Sequence, residues 1–151
     1  GREYALRHAL EDLAMRESFD VVLIDCPPSL GVLTVNGLTA ADDVLIPLQC
    51  EALSHRGVGQ LLDTIADVRR MTNRDLRIGG VVPTMFDGRT RHAREVLEDV
   101  GERYGLEVLS PPVRKSIRFA EAPREGKTIL RFAPRHPGSE AYREIARGLV
   151  S

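Results

Sequence analysis

The chain has 151 residues, of which 42% are apolar and 28% are charged, a balance typical of a globular domain and unlike that of a disordered chain. No apolar run approaches the roughly 18 residues that a membrane span needs, which argues against a membrane-spanning protein and for a cytoplasmic one. The net charge of -1 is unevenly distributed, because residues 111–151 hold nine basic and four acidic side chains. This excess points to a polyanionic partner, although a solvated mixed surface would give the same count.

The first part of the chain predicts two helices and two strands. Apolar residues at helical spacing predict an amphipathic helix over residues 3–17. Residues 19–24 are apolar on both faces, which is typical of a buried parallel strand, and the prolines that follow Asp25 would end it. A short helix is expected over residues 32–41, and a second buried strand over residues 44–48.

The remainder of the chain continues this alternation. Helical spacing predicts helices over residues 58–71 and 91–104, with a strand at 78–86 between them. A short strand at 106–109 is followed by a loop-rich basic stretch and by a final helix over residues 139–149. Short strands that alternate with longer helices predict an α/β fold with a mostly parallel sheet and helices on both faces.

Polar segments follow the predicted strands and are expected to meet at one edge of the sheet. They are Asp25, residues 49–51, residues 87–89 and residues 111–118. Because ligands bind at the carboxyl ends of parallel strands, we expect a binding site there. Asp25 is placed to hold Mg²⁺ or its water beside a phosphate, although many carboxylates at this position only cap the next turn.

Several ordered blocks of the sequence resemble those of ParA-type chromosome- and plasmid-partitioning ATPases, in the MinD/ParA superfamily. Residues 25–31 read DCPPSLG, which resembles the Walker B and switch segment of that family. Residues 36–42 read NGLTAAD and residues 46–51 read IPLQCE. Residues 84–90 read TMFDGRT, and IRFAEAP with Gly-Lys lies within residues 117–127. The resemblance therefore covers essentially the whole chain.

The resemblance implies roles for individual residues near a nucleotide. Asp25 would be the Walker B carboxylate that positions Mg²⁺ through water, in a parent protein that binds and hydrolyses Mg-ATP. The switch that senses the γ-phosphate would comprise Pro27, Pro28, Ser29 and Gly31. The adenine base would lie near Thr84, Met85, Pro112 and Val113.

The resemblance also implies DNA binding that is independent of sequence. Arg89 and Arg118 match the positions where the family places the arginines that contact DNA, and Arg91 and Lys115 would add to that patch. Arginines on loops contact phosphates without reading bases, which gives a salt-sensitive affinity. Without the resemblance, the favoured interpretations are a packed helix-start arginine at Arg89 and a loop ion pair between Arg118 and Glu121.

The phosphate-binding loop of such ATPases is not found in the sequence. It needs Gly-x-x-x-x-Gly-Lys-Ser/Thr after a strand, whereas Gly126-Lys127-Thr128 has Glu121 at the first glycine position and no apolar strand before it. In the family this loop lies N-terminal to the Asp25 block. We therefore expect residues 1–151 to be the C-terminal part of one ParA-type ATPase domain, with no bound Mg-ATP and no ATPase activity by itself.

The missing loop has a structural consequence for the expected fold. The fold would be a partial three-layer, P-loop NTPase-like fold that lacks the strand of the phosphate-binding loop. Without that neighbour, residues 19–24 would leave backbone N–H and C=O groups unpaired at an open sheet edge. The chain is then expected to pair this edge with another copy, or to fold only in part, unless it is a fragment of a longer molecule.

The resulting functional hypothesis is the C-terminal portion of an ATPase that segregates chromosomes or plasmids. Mg-ATP would drive formation of a homodimer, the dimer would bind non-specific DNA on the nucleoid in the cytoplasm, and a ParB-like protein would stimulate hydrolysis. The alternative is a non-catalytic truncated relative that binds DNA or a partner protein without nucleotide. A MinD-like membrane-surface ATPase would need a basic amphipathic tail that the sequence does not show, so no membrane partner is expected.

Overall fold

A computed structural model describes residues 1–50 and 55–150. In chain order they form a 3-10 turn (Arg2–Tyr4), α1 (Ala5–Ala14), α2 (Val32–Ala40), β1 (Asp43–Gln49), α3 (His55–Met71), β2 (Arg77–Thr84), α4 (Arg91–Tyr104), α5 (Arg118–Arg124), α6 (Ile129–Phe132) and α7 (Pro137–Val150). Two compact units divide the described chain, the first with residues 1–44 and 55–78 and the second with residues 45–50 and 79–150. Each helix in these ranges is too short or too polar to span a lipid bilayer.

Strands β1 and β2 are neighbours in a parallel sheet. At their starts, the backbone N–H of Arg77 donates to the carbonyl of Asp42 at 2.9 Å. At their ends, the N–H of Cys50 donates to the carbonyl of Thr84 at 3.1 Å. The predicted strands at 44–48 and 78–86 are confirmed with small shifts at their ends, and so is the α/β fold class with a parallel sheet.

The predicted fourth strand is reduced to an isolated bridge. Val81 donates its N–H to the carbonyl of Glu107 and accepts from the N–H of Leu109, both at 2.8 Å, so the later segment runs parallel to β2. It does not continue as a regular ladder because Pro111 and Pro112, which follow, have no N–H to donate. The predicted strand at residues 106–109 was therefore wrong as a regular strand, but the segment does pair with β2 in the parallel direction expected of this sheet.

The predicted buried strand at residues 19–24 does not form among the described residues. The segment has no strand assignment, and the Leu23 side chain is 87% exposed. A strand that is apolar on both faces is stable only when covered on both faces and paired with neighbouring strands. In residues 1–50 and 55–150 no strand pairs with it. This prediction was wrong because a local sequence pattern cannot supply the neighbours that a buried strand needs.

The core of the first unit joins α2 and α3. Leu38, Ile65, Val68 and Leu76 form a nearly solvent-free cluster. The apolar residues of α3 recur at helical spacing, so one face of the helix turns into this cluster. Asn73 donates two hydrogen bonds, at 3.0 and 2.7 Å, to carbonyl oxygens at the end of α2. Those carbonyls would otherwise lack partners, so the side chain fixes the helix end that leads into β1.

The core of the second unit lies under α7. Ala141 and Ile145 of that helix pack with Val82 of β2 and with Val113. The stretch before α7, predicted to be a loop, instead contains the short helices α5 and α6. Ser139 is fully buried, and its hydroxyl donates to the carbonyl of Ala133 at 2.7 Å while lying 3.1 Å from the carbonyl of Ile129. A single buried hydroxyl therefore ties the start of α7 to the segment that precedes it.

Candidate functional site

Asp25 lies in the first unit, in the segment that precedes α2. Its side chain is exposed, and within the described residues no hydrogen bond or ion pair engages the carboxylate. The same residues contain no group of three or more potential ligands that could enclose a metal ion. Mg²⁺ keeps several waters and commonly takes only one or two protein carboxylates. The donor set therefore fits a water-mediated contact to Mg²⁺ rather than an all-protein metal site.

The predicted switch segment turns into α2 and is attached to it by one side chain. The hydroxyl of the buried Thr34 donates to the carbonyl of Ser29 at 2.5 Å and lies 3.4 Å from the carbonyl of Pro27. The four residues predicted for the switch are all exposed here: Pro27, Pro28, Ser29 and Gly31. The segment is thus held by backbone carbonyls, which leaves its side chains accessible.

Gly37 allows the segment after Asp25 to approach α2 closely. A Cβ atom at this position would lie 2.7 Å from the sulfur of Cys26 and 3.5 Å from a methyl group of Ile24. Real Cβ contacts are not so short, so any larger residue would push the segment away from the helix. The glycine of the NGLTAAD block is therefore explained by packing.

The residues predicted to contact a base belong to the second unit, and two of them already make contacts inside the protein. The hydroxyl of Thr84 donates to the carbonyl of Leu48 at 3.2 Å. Val113 is buried in the core. Met85 adopts a φ of 51°, a left-handed conformation that strains a non-glycine residue by about 1 kcal/mol or more. Pro112 lines a cleft of about 310 Å³. Met85 and Pro112 are both half-buried.

Arg89 is held by Asp87 in a two-point ion pair. Its Nε and Nη2 each donate to one carboxylate oxygen at 3.0 Å, and the Arg89 backbone N–H donates to the same carboxylate at 3.1 Å. The Arg89 side chain nevertheless remains 90% exposed. It is therefore oriented by hydrogen bonds and not by packing of its stem, so the interpretation as a packed helix-start residue was wrong. Three of the five guanidinium N–H donors remain for another acceptor.

The hydrogen bonds from Arg89 lower the pKa of the Asp87 carboxyl from 3.8 to about 2, and the positive charge of Lys115 contributes. We expect a carboxyl ¹³C NMR titration to give a midpoint near 2 for Asp87, rising toward 3.8 in Arg89→Ala. Because the pKa is lowered in the folded state, the ion pair stabilises the protein above the ordinary pKa and that stabilisation is lost as the pH falls toward 2. Arg91→Ala is the control and leaves the midpoint in place. A wild-type midpoint near 3.8 would contradict a persistent ion pair.

The other two predicted arginines each pair with a carboxylate on their own helix. Arg91 opens α4 and donates to Glu95 at 2.5 Å. Arg118 opens α5 and donates to Glu121 at 3.1 Å, while its guanidinium carbon lies 5.7 Å from the centre of the Phe132 ring. The predicted Arg118–Glu121 ion pair is thus confirmed, although it lies within a helix and not on a loop. Such exposed single-bond pairs are weak and easily exchanged for another anion.

Backbone hydrogen bonds join the segment that leads to Arg89 with the segment that leads to Arg118. Phe86 donates its N–H to the carbonyl of Val113 and accepts from the N–H of Lys115, both at 3.1 Å. One segment runs on from Phe86 to Arg89, and the other runs on from Lys115 to Arg118. The second unit therefore places Arg89 and Arg118 on two segments that are joined by backbone hydrogen bonds, Arg89 on a loop and Arg118 at the start of α5. Asp25 and the switch residues belong to the first unit.

One cavity of the second unit was not anticipated from the sequence. It measures about 370 Å³ and is lined by Arg118, Phe132, Ala133, Pro134, Arg135 and His136. Arg135 and His136 were counted only as part of a basic stretch. That composition was the available signal, and the turn between α6 and α7 is what brings them to the cavity of Arg118.

Comparisons with known proteins give consistent relatives. An AAA domain family (AAA_31) matches residues 1–78. Sporulation initiation inhibitor protein Soj of Bacillus subtilis is 43% identical over 99% of this chain and 58% of that protein. Chromosome partitioning protein ParA of Caulobacter vibrioides is 45% identical over 99% of this chain and 56% of that protein. The chain thus spans somewhat more than half the length of the curated relatives it matches.

A solved structure shares both the fold and much of the sequence. It is cobyrinic acid a,c-diamide synthase from Mycobacterium smegmatis with a bound ATP analogue and magnesium, with a TM-score of 0.84 and 53% identity. The match covers 99% of this chain and 54% of that one. The α/β fold is therefore that of P-loop NTPases. The chain belongs to the AAA domain family that matches its first half, and its curated relatives named above are the chromosome-partitioning proteins Soj and ParA.

Proposed function

We propose that this chain supplies the DNA-contacting part of a ParA/Soj-type partitioning ATPase. In the whole protein, Mg-ATP would drive formation of a homodimer that binds DNA without sequence preference on the nucleoid, in the cytoplasm, and segregates chromosomes or plasmids. A ParB-like protein would stimulate hydrolysis. The observation that supports this most directly is the exposed guanidinium of Arg89, which Asp87 orients while three of its donors remain.

Phosphate contact follows from the chemistry of these side chains. A guanidinium presents paired donors that match two phosphate oxygens, and it retains its charge at any physiological pH. Arg89, Arg91, Lys115 and Arg118 all have exposed side chains. Their positions on loops and at helix starts suit contact with the backbone of a DNA strand. Such contacts position a protein on DNA without reading its sequence.

The phosphate and magnesium contacts of the nucleotide would rest on the first unit. Asp25 would hold a water molecule of the magnesium ion. A bound Mg-ATP would supply the reacting phosphoryl group and the charge that neutralises it. The switch segment is exposed and is held to α2 through Thr34, so it can respond to a phosphate without unfolding the helix. Met85 and Pro112 of the second unit would contact the base, and this chain by itself would not hydrolyse ATP.

The alternative, a module that binds DNA without nucleotide, differs in one observable property. DNA binding would then be the same with and without Mg-ATP. A dependence on Mg-ATP would instead support the partitioning ATPase.

Salt-dependent DNA binding tests the proposed function. We would measure fluorescence anisotropy with two unrelated duplexes of about 24 base pairs, with and without Mg²⁺ and a non-hydrolysable ATP analogue. Three or four phosphate contacts per chain predict a slope of log affinity against log salt of about -3, which is a loss of about 60-fold between 50 and 200 mM salt. We expect equal affinity for the two duplexes. A strong preference for one duplex, or an affinity that does not change with salt, would contradict the proposal.

A further inference from the structure

We propose that the cavity between α5, α6 and the start of α7 binds one phosphate of the DNA backbone, with Arg135 and His136 as contacts beside Arg118. The cavity has a volume of about 370 Å³ and all of its lining residues belong to the second unit. This inference rests on the proposed DNA-binding function and adds a contact to it. Neither the motifs of the sequence nor the comparisons assign a role to Arg135 or His136.

The titratable side chains that line the cavity are two arginines and one histidine. Arg118 and Arg135 contribute two guanidinium groups, and no carboxylate lines the cavity. Arg118 is paired with Glu121 through a single hydrogen bond, whereas no hydrogen bond or ion pair engages the exposed Arg135 side chain within the described residues. Two guanidinium groups around one concave surface favour an anion with several acceptor oxygens.

His136 adds a donor whose position follows from its hydrogen bond. Its Nδ1 accepts the backbone N–H of Gly138 at 2.9 Å, so the proton of the neutral ring lies on Nε2. The ring also meets the edge of Phe119, with centroids 6.1 Å apart. A Cβ atom on Gly138 would lie 2.5 Å from Phe119 and 3.0 Å from the His136 ring. Glycine is therefore required here, and the packing holds the imidazole in one orientation.

The loop that carries Arg135 and His136 is fixed before any ligand arrives. Ser139 donates to the carbonyl of Ala133 at 2.7 Å, and Arg143 donates to the carbonyl of Pro134 at 2.8 Å. A lining that is already ordered loses little conformational entropy when it binds. The apolar surface of Phe132, Ala133 and Pro134 lies beside the cations and suits the deoxyribose that accompanies a backbone phosphate.

The test compares two arginines that differ in whether they line the cavity. Arg135→Ala removes a lining cation, while Arg131→Ala removes an exposed cation on α6 that does not line it. Both changes alter the net charge equally. At about 100 mM salt we expect Arg135→Ala to weaken duplex binding by about tenfold and to reduce the salt slope by about 0.9, and Arg131→Ala to change affinity by less than about twofold. Arg135→Lys keeps the charge and should stay within about threefold of the wild type.

The outcomes distinguish a failure of this phosphate contact from a failure of the proposed DNA binding. If Arg135→Ala and Arg131→Ala weaken binding equally while Arg89→Ala weakens it strongly, the phosphate contact is overturned and DNA binding stands. If the wild-type protein binds no duplex, both are overturned. Titration with inorganic phosphate, followed by the NMR signals of the His136 ring, identifies the source of the anion. Saturation by phosphate with no effect of Arg135→Ala on DNA binding would make this a free-phosphate site and overturn the DNA contact.

Discussion

Replacing both Arg89 and Arg118 with alanine is expected to lower the affinity for duplex DNA by about two orders of magnitude. Each substitution would remove one charge-assisted contact to a phosphate, worth about tenfold at an exposed site, and contacts from separate segments of the chain add nearly independently. The salt slope should also fall by about 2, because two fewer counterions are released per chain. Fluorescence anisotropy over a range of salt concentrations measures both quantities with one duplex.

A double variant in the first unit provides the matched control for this loss. Arg7 and Arg70 are exposed arginines that pair with Glu11 and Asp67 on their own helices, much as Arg118 pairs with Glu121. Arg7→Ala/Arg70→Ala makes the same change in net charge and leaves the segments that carry Arg89 and Arg118 unchanged. We expect it to alter the affinity by less than about threefold. An equal loss in both double variants would show that the overall charge, and not phosphate contact, controls binding.

Ile65→Ala is expected to lower the free energy of unfolding by about 3 kcal/mol, within the range of 2–5 kcal/mol typical for such core truncations. The side chain is 1% exposed and lies in the cluster with Leu38, Val68 and Leu76. The loss combines the transfer free energy of the removed methyl and methylene groups with the cavity that a close-packed interior cannot collapse. Urea denaturation followed by far-UV circular dichroism gives the value from the shift in midpoint.

Met71→Ala on the same helix distinguishes burial from helix propensity. The Met71 side chain is 73% exposed, so its removal leaves no cavity. Both changes introduce alanine into α3, which favours the helix slightly in either case. We expect the Met71 variant to unfold within about 0.5 kcal/mol of the wild type. A loss below about 1 kcal/mol for Ile65→Ala would mean that this cluster is not closely packed in solution.

The long helices and the two paired strands could be predicted because their signals are local, whereas the short helices α5 and α6 were not predicted. Residues 91–104 show the apolar spacing of a helix, and the structure places α4 at Arg91–Tyr104. Thr90 accepts the N–H of Ala93 at its start, and Gly105 takes the left-handed conformation at its end. Periodicity and end residues act over a few positions of the chain, so the sequence carries them completely.

The functional residues were only partly predictable. The blocks from Asp25 to Gly31 and from Thr84 to Thr90 indicated the family, and the comparisons confirmed it. They did not indicate that Thr84 and Val113 would be used by the fold, or that Asp87 would take up two donors of Arg89. Hydrogen-bond partners depend on the exact path of a turn, and that path is set by backbone geometry that a motif does not specify.

The sequence by itself determined the long helices, the two paired strands, the family and the arginines that are candidates for DNA contact. Only the tertiary structure decided that residues 19–23 stay exposed, that residues 107–109 form a single bridge, and that Arg135 and His136 share a cavity with Arg118. The difference has one physical cause. Helix periodicity and motifs are properties of neighbouring residues, whereas strand pairing and cavities depend on segments that are distant in sequence and meet only when the chain folds.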